Sequence, residues 1–165
     1  METNNKTVKT INEQKRQFCT FHISKRFFGV NILDTKEIID EFKITKVHHA
    51  PDEMLGYINI RGNVHLILDL RIMLNFEKKE IDSSNRIILF TSKVGESFGI
   101  LVDRIDHMVE VNDSQIEYRI HDEKSKQSGL EDNLSKLTIG SCKLDKLLII
   151  LNAKEFLKSL KNDLL

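Results

Sequence analysis

The chain has no tryptophan, a single proline (Pro51) and only two cysteines, Cys19 and Cys142, in 165 residues. Two distant thiols make neither a metal-binding spacing nor a disulfide framework, so they read as small buried apolar side chains. Charge of one sign is lacking too: 25 Lys and Arg balance 25 Asp and Glu. Without a net field, neither nucleic acid nor an anionic lipid surface is an expected partner. The longest apolar run, Leu147 to Leu151, falls far short of the ~20 residues that span a bilayer. Met1 to Gln17 is polar and lacks the apolar stretch of a secretory signal, which predicts a cytoplasmic protein with a loose tail over residues 1–17. Gly29, Gly56 and Gly62 are isolated and build no phosphate loop, and no cofactor is expected. A chain of this length buries roughly 70% of its unfolded surface and needs no metal or disulfide to hold a core.

What the sequence does have is short-period apolar alternation. Cys19, Phe21 and Ile23 share one face of a strand, and Phe28, Val30 and Ile32 one face of the next, with Ser24 to Arg26 as the turn. Asp34-Thr35-Lys36-Glu37 has the form of a capping box, predicting a helix to about Glu41 with Ile38, Ile39 and Phe42 on its apolar stripe. Ile44 to Val47 reads as a short strand and His48 to Pro51 as a loop. After a polar linker, Glu77 to Asn85, the runs Ile87 to Phe90 and Phe98 to Val102 flank a turn containing Gly95, and Ile105 to Val111 alternates as a further strand. Tyr118 to Lys136 is polar and reads as a mobile loop. Leu137 to Cys142 and Leu147 to Leu151 make a last hairpin through Asp145. Asn152 then caps a terminal helix, with Glu155 at its third position and Phe156, Leu157 and Leu160 as its stripe. Arg26-Phe27-Phe28-Gly29-Val30 is echoed by Glu96-Ser97-Phe98-Gly99-Ile100 at an offset of 70 residues, which agrees with two similar halves, each a small twisted barrel.

The central stretch is Gly56 to Arg71, GYINIRGNVHLILDLR. It reads as two strands folded on a Gly62-Asn63 turn, setting Arg61 opposite Val64, Ile60 opposite His65 and Ile58 opposite Ile67. One face collects Ile58, Ile60 and Ile67, and the other carries Leu66 and Leu68. A hairpin apolar on both sides belongs inside a barrel or between packed units. Asp69 suits the N-cap of a helical turn from Leu70 to Leu74.

The same stretch resembles the signature of CheW-like domains, in which a G-x-x-N-x-R-G hairpin runs into a D-L-R corner. Pro51 stands where that family usually has a proline, and Gly140 to Phe156 resembles its closing motif. His65 and Leu66 depart from the apolar residue and proline that many members carry there. The resemblance covers about Phe18 to Leu160 and implies a mainly β fold: two small five-stranded SH3-like barrels packed together, with short helices and a C-terminal helix. The domain would span 18–165 as two interlocked barrel subdomains, with their boundary near 76–86.

Candidate chemistry is sparse. Gly95-Glu96-Ser97-Phe98-Gly99 matches the G-x-S-x-G of a hydrolase elbow, and Asp103 and His107 follow in triad order. That elbow needs a helix after the serine, whereas Phe98 to Val102 reads as a strand. His48 and His49, adjacent on an extended chain, point to opposite sides and suit a loop better than a metal site. The resemblance implies that Glu37 and Arg61 lie near each other, and they are expected to pair and to fix the hairpin tip relative to the helix carrying Glu37.

With no convergent catalytic groups, function is expected in surfaces. The resemblance implies a non-enzymatic chemotaxis adaptor, monomeric outside its array, coupling the cytoplasmic tips of chemoreceptors to the histidine kinase CheA through that kinase's own CheW-like domain. It would sit in the cytoplasm at membrane receptor arrays without entering the membrane. Receptor-binding positions carry over to Ile32, Thr35, Gly56, Arg61, Ile87, Gly99, Ile105 and Met108, and kinase-binding positions to Glu37, Asp40, Ile44 and Gly62. The other readings are an adaptor of a non-chemotactic array, a fragment of a larger kinase or receiver-bearing adaptor, against which Met1 and the capped last helix speak, and the Ser97 hydrolase.

Overall fold

The structure is a computed structural model that describes residues 13–120 and 133–163. Most of the expected tail (1–17) and most of the expected loop (118–136) fall outside those residues. The strands are β1 (Lys15–Ile23), β2 (Arg26–Asn31), β3 (Thr35–Ile39), β4 (Met54–Ile60), β5 (Asn63–Asp69), β6 (Arg86–Phe90), β7 (Phe98–Val102), β8 (Arg104–Ile105), β9 (Val109–Asn112), β10 (Ile116–Tyr118), β11 (Thr138–Lys143) and β12 (Leu147–Leu151). The helices are α1 (Leu70–Met73), α2 (Asn133–Leu137) and α3 (Lys154–Asp163).

Two sheets result. One is five-stranded in the order β3-β6-β7-β5-β4; the other is seven-stranded, β10-β11-β12-β2-β1-β8, with β9 also on β1. Ile39, Ile58, Ile67, Ile87, Leu89 and Leu101, drawn from all five strands of the first sheet including both edges, form one cluster, so that sheet curls into a barrel. Phe18, Phe27, Val111, Ile116, Cys142, Leu148 and Ile150 do the same for the second. Alternate residues point the other way. Cys19, Phe21, Ile23, Phe28 and Val30 from one sheet meet Leu68, Ile88, Phe90, Ile100 and Val102 from the other in a larger central core, closed by Phe156 and Leu160 of α3. Each long strand therefore feeds two cores, which is why the sequence shows apolar runs rather than clean alternation.

The barrels interlock. Both contain the same sequence of pairings: β4-β5-β7-β6-β3 in one matches β11-β12-β2-β1-β8 in the other, with a parallel β5–β7 pair in one and a parallel β12–β2 pair in the other. Gly29 on β2 and Gly99 on β7 stand at equivalent places, the structural meaning of the echo. After β2 the chain crosses to the five-stranded sheet as β3, and after β7 it crosses back as β8. Residues 77–85, near the expected boundary, join two strands of one sheet, and β2 pairs with β12. The barrels are also unequal, because β8 and β9 both run along β1 and β10 adds an edge.

Five local expectations are corrected. The helix over 34–41 is a 3-10 turn, Ile32–Asp34, followed by β3. Asn31 Oδ1 accepts the Leu33 N–H at 3.0 Å, and pairing with β6 outweighs a weak helical pattern rich in β-branched residues. The hairpin turns on Arg61 (φ 50°) and Gly62 (φ 85°), so Ile60 pairs with Asn63 and Ile58 with His65. Asn59 Oδ1 caps that turn by accepting the Gly62 N–H at 2.9 Å. Moving the turn by one residue shifts every partner by two, so the faces are those expected: Ile58 and Ile67 inside the barrel, Leu66 and Leu68 on the central core. Ile105 to Val111 is broken at 106–108, and of 44–47 only Thr45 bridges, to Tyr57. Lys15 to Gln17, placed in the tail, belong to β1. The Asp69 cap is formed, its Oδ1 accepting the Arg71 N–H at 3.0 Å, and Asn152 Oδ1 accepts the Lys154 N–H at 3.1 Å to start α3.

Because the sheets exchange strands and share a core, they unfold together. Phe21→Ala, at a fully buried side chain stacked 6.0 Å from Phe28, is expected to cost about 3–5 kcal/mol and to keep one cooperative transition. Denaturation followed by near-UV signal and by hydrogen exchange in each sheet checks this; separate transitions for the two sheets contradict it.

Candidate docking surfaces

The residues singled out for chemistry do not converge. Ser97 is exposed and leads straight into β7, its carbonyl accepting the Leu66 N–H at 2.9 Å. Asp103 Oδ2 accepts the Ser24 N–H at 2.7 Å and pairs with Arg71, while His107 Nδ1 meets Asp106 Oδ1 at 2.6 Å. The hydrolase arrangement is therefore not assembled: its acid and its base are each held by other partners. His48 and His49 lie in an exposed loop, His49 at φ 62°. Among the described residues no group of three or more His, Cys, Asp or Glu is placed to hold a metal ion. Cys19 sits in the central core and Cys142 in the seven-stranded barrel, and burial pushes both thiols up.

The five-stranded barrel carries several of the expected docking residues. Arg61, at the hairpin tip, reaches Glu37 on β3 with both terminal nitrogens, Nη1 to Oε2 at 3.3 Å and Nη2 to Oε1. The expected pair exists, tying hairpin to strand rather than to a helix. Glu37 is 29% and Arg61 74% exposed, so the guanidinium keeps most of its face for a partner. Asp40 is exposed just beyond β3, and Gly62 is exposed beside Arg61. Ile44 packs on the barrel cluster and covers Gly56. Gly56 is buried at φ 144°, and a Cβ there would lie 2.1 Å from the Thr45 carbonyl oxygen. Receptor-assigned and kinase-assigned positions thus touch at two places, Arg61 with Glu37 and Gly56 with Ile44.

The remaining positions divide by burial. Ile87 is fully buried inside the barrel, and Gly99 lets β6 and β7 close up, since a Cβ would meet Ile88 O at 2.6 Å. Neither can touch a partner directly; they shape what lies above them. Ile32 and Ile105 sit at the two crossovers between sheets, each partly exposed against the central core. Thr35 pairs with Phe90 beside the first crossover. Met108 is 55% exposed and lines, with Phe27, Val109 and Leu144, a groove of about 470 Å³.

A polar clamp missed in the sequence connects these surfaces. Arg71 donates from Nη1 to Asp103 Oδ2 and from Nε to the Glu77 carbonyl at 2.9 Å, both charged side chains being nearly buried. The same Asp103 oxygen takes the N–H of Ser24, the tip of the β1–β2 hairpin. The Arg71 and Arg26 guanidinium groups both lie over one ring, Phe76, at 6.0 and 5.7 Å from its centroid. The clamp pins a turn of one barrel to the corner of the other. Its only signal in the sequence is the D-L-R corner, which by itself names no partner for the arginine. His65, the departure from the family pattern, is buried beside the barrel cluster with no partner for Nδ1. Burial lowers its pKa, Lys36 adds to this and Glu37 opposes it.

Interlocked barrels whose polar groups are spent on staples define a protein that works through its surfaces. The chain belongs to the CheW-like domain family, whose model matches residues 17–161. It is 34% identical over 111 residues to "Probable chemotaxis protein CheW" of Rhizobium etli, covering 67% of this chain and 70% of that one. It is 29% identical over 150 residues to "Chemotaxis protein CheW" of Helicobacter pylori, covering 89% and 84%. The fold matches the crystal structure of scaffolding protein TtCheW from Thermoanaerobacter tengcongensis, which has two SH3-like β domains, with a TM-score of 0.71 at 24% identity over 84% of this chain and 89% of that one. The likenesses support a chemotaxis adaptor role, and the family is one of scaffolds and adaptors.

Arg71→Met leaves the Asp103 charge buried without its partner and is expected to cost about 3–5 kcal/mol, of which the double change with Asp103→Leu recovers most; urea unfolding measures both. His65 has a lowered folded pKa, so its share of stability is complete above the unfolded value of about 6.5 and is lost as pH falls below it. His65→Leu should flatten the fall in stability between about pH 7 and 5, read by melting at each pH.

Proposed function

We propose that this chain is the adaptor that couples the cytoplasmic tips of chemoreceptors to the histidine kinase CheA, holding both partners in a fixed geometry and doing no chemistry itself. The observation that carries the reading is the Glu37–Arg61 end of the first barrel: a tethered but largely exposed guanidinium beside the exposed Gly62. An ordered cation suits a protein interface, because little side-chain entropy is left to lose on docking. This end faces the kinase's CheW-like domain. Ile32, Thr35, Ile105 and Met108, with Arg61, face the receptor, while Gly56, Ile87 and Gly99 act from beneath by setting the backbone. The protein works at membrane-bound arrays from the cytoplasmic side; no helix among the described residues is long and apolar enough to cross a membrane. Outside the array it is a monomer.

The test is reconstitution with CheA and a receptor cytoplasmic fragment, scoring kinase activation with and without the protein. Arg61→Glu sets two carboxylates against each other and is expected to abolish activation while changing stability by no more than about 1 kcal/mol, as fits an exposed pair. Full activation by the charge-reversed variant contradicts the assignment.

A further inference from the structure

The inner face of β1 is unusual for a barrel: after Phe18 it carries Thr20 and His22, exposed 0% and 3%. Polar groups so placed are destabilising unless hydrogen-bonded. Both bond to one short segment, Asp106–Met108, that interrupts the strand between β8 and β9. Thr20 Oγ1 donates to the His107 carbonyl at 2.5 Å, and the Asp106 N–H donates to the Thr20 carbonyl at 2.9 Å. His22 Nε2 lies 2.8 Å from Asp106 Oδ2. A carboxylate only accepts, so Nε2 carries the proton in this pair, and Nδ1 is buried without a partner. The other oxygen of Asp106 takes the backbone N–H of His107 at 2.8 Å and its ring Nδ1.

These bonds decide which way the segment points. β1 pairs with β9 through Lys15 to Phe18 and with β8 through Phe21 and His22, leaving Cys19 and Thr20 opposite the interruption. A continuous strand would keep alternating; pulled down at Asp106, the chain turns His107 and Met108 outward, 79% and 55% exposed. Met108 becomes one wall of the groove floored by Phe27, and the His22 ring lies 5.2 Å from that same Phe27 ring. The charged groups around the cluster are Asp106, His107, Arg104, which is the register partner of His22, and Lys146, which lies 5.9 Å over Phe27.

We propose that Thr20, His22 and Asp106 form a polar latch whose task is to position Met108 and the groove for the receptor helix, which makes Thr20 and His22 positioning residues of the receptor site. The inference rests on the receptor assignment of Met108 made above. It departs from a packing role in one respect: apolar residues at 20 and 22 would fill the barrel and still leave the segment unheld. The His22 hydrogen bond is also the largest of the causes that hold the Asp106 carboxyl well below the usual carboxylate range, followed by the His107 backbone N–H.

The experiment compares wild type with His22→Gln, His22→Leu, Thr20→Val and Met108→Ala for binding to a soluble receptor cytoplasmic fragment, with CheA binding as the control. His22→Gln keeps an N–H donor and should bind the receptor fragment within about twofold of wild type, whereas His22→Leu should bind about tenfold more weakly, with CheA binding unchanged. Adding His22→Leu to Met108→Ala should then weaken binding little further, because both act through one side chain. The Asp106 carboxyl carbon, followed by NMR, should titrate at higher pH in His22→Leu than in wild type. Where His22→Leu does not fold, Thr20→Val carries the binding comparison and should also weaken it. A folded His22→Leu that binds the receptor fragment as wild type does overturns the latch; a wild-type protein that binds CheA but not the receptor fragment overturns the receptor assignment and with it the task given to the latch.

Discussion

The structure depends on one shared core. Phe21, Phe28, Ile88, Phe98 and Ile100 come from two sheets, yet they bury their side chains against one another and under Phe156. Hydrophobic burial is worth about 25 cal/mol per Å², and neither barrel interior alone is large: the five-stranded one rests on six buried side chains. The interface between barrels is therefore where most of the apolar surface goes, and the strand exchange at the two crossovers makes it inseparable from either barrel. This is why two units, each small enough to be marginal alone, behave as one body.

On that body, polar groups serve as staples rather than as reagents. Arg71 and Asp103 hold the β1–β2 turn to the corner after β5, His22 and Thr20 hold the segment between β8 and β9, and Glu37 holds the tip of the central hairpin through Arg61. All three join residues far apart in sequence and lie at the margins of the barrels. A scaffold transmits geometry, so the groups that matter most to it are those that fix where one surface stands relative to another. A buried charge pair serves that purpose well: its net contribution to stability is small, but the cost of misplacing either partner is large.

The surface reflects the same division. Residues expected at the kinase surface and at the receptor surface meet at Arg61, which pairs with Glu37, and at Gly56, which lies against Ile44. Gly56 leaves no room for even a methyl group against Thr45, and Gly99 none against Ile88. Buried positions such as these set the course of the strands above them.

Much of this was legible in the chain itself. Alternation identified the face of β1 that meets the central core, the β2 face opposite it and the two apolar sides of the hairpin, and Asp69 and Asn152 marked the starts of α1 and α3. These are local properties, set by periodicity of two and by side chains that bond their own neighbours. The sequence could not show that residues 35–39 form a strand, because an isolated Asp-Thr-Lys-Glu segment satisfies a helix start as well, and only the edge offered by β6 decides the matter. Nor could it show the exchange of strands, the partner of Arg71 or the bonds from Thr20 and His22 to residues more than eighty positions away. Those depend on which surfaces come to face one another, a choice made by the summed burial of the whole chain rather than by any stretch of it.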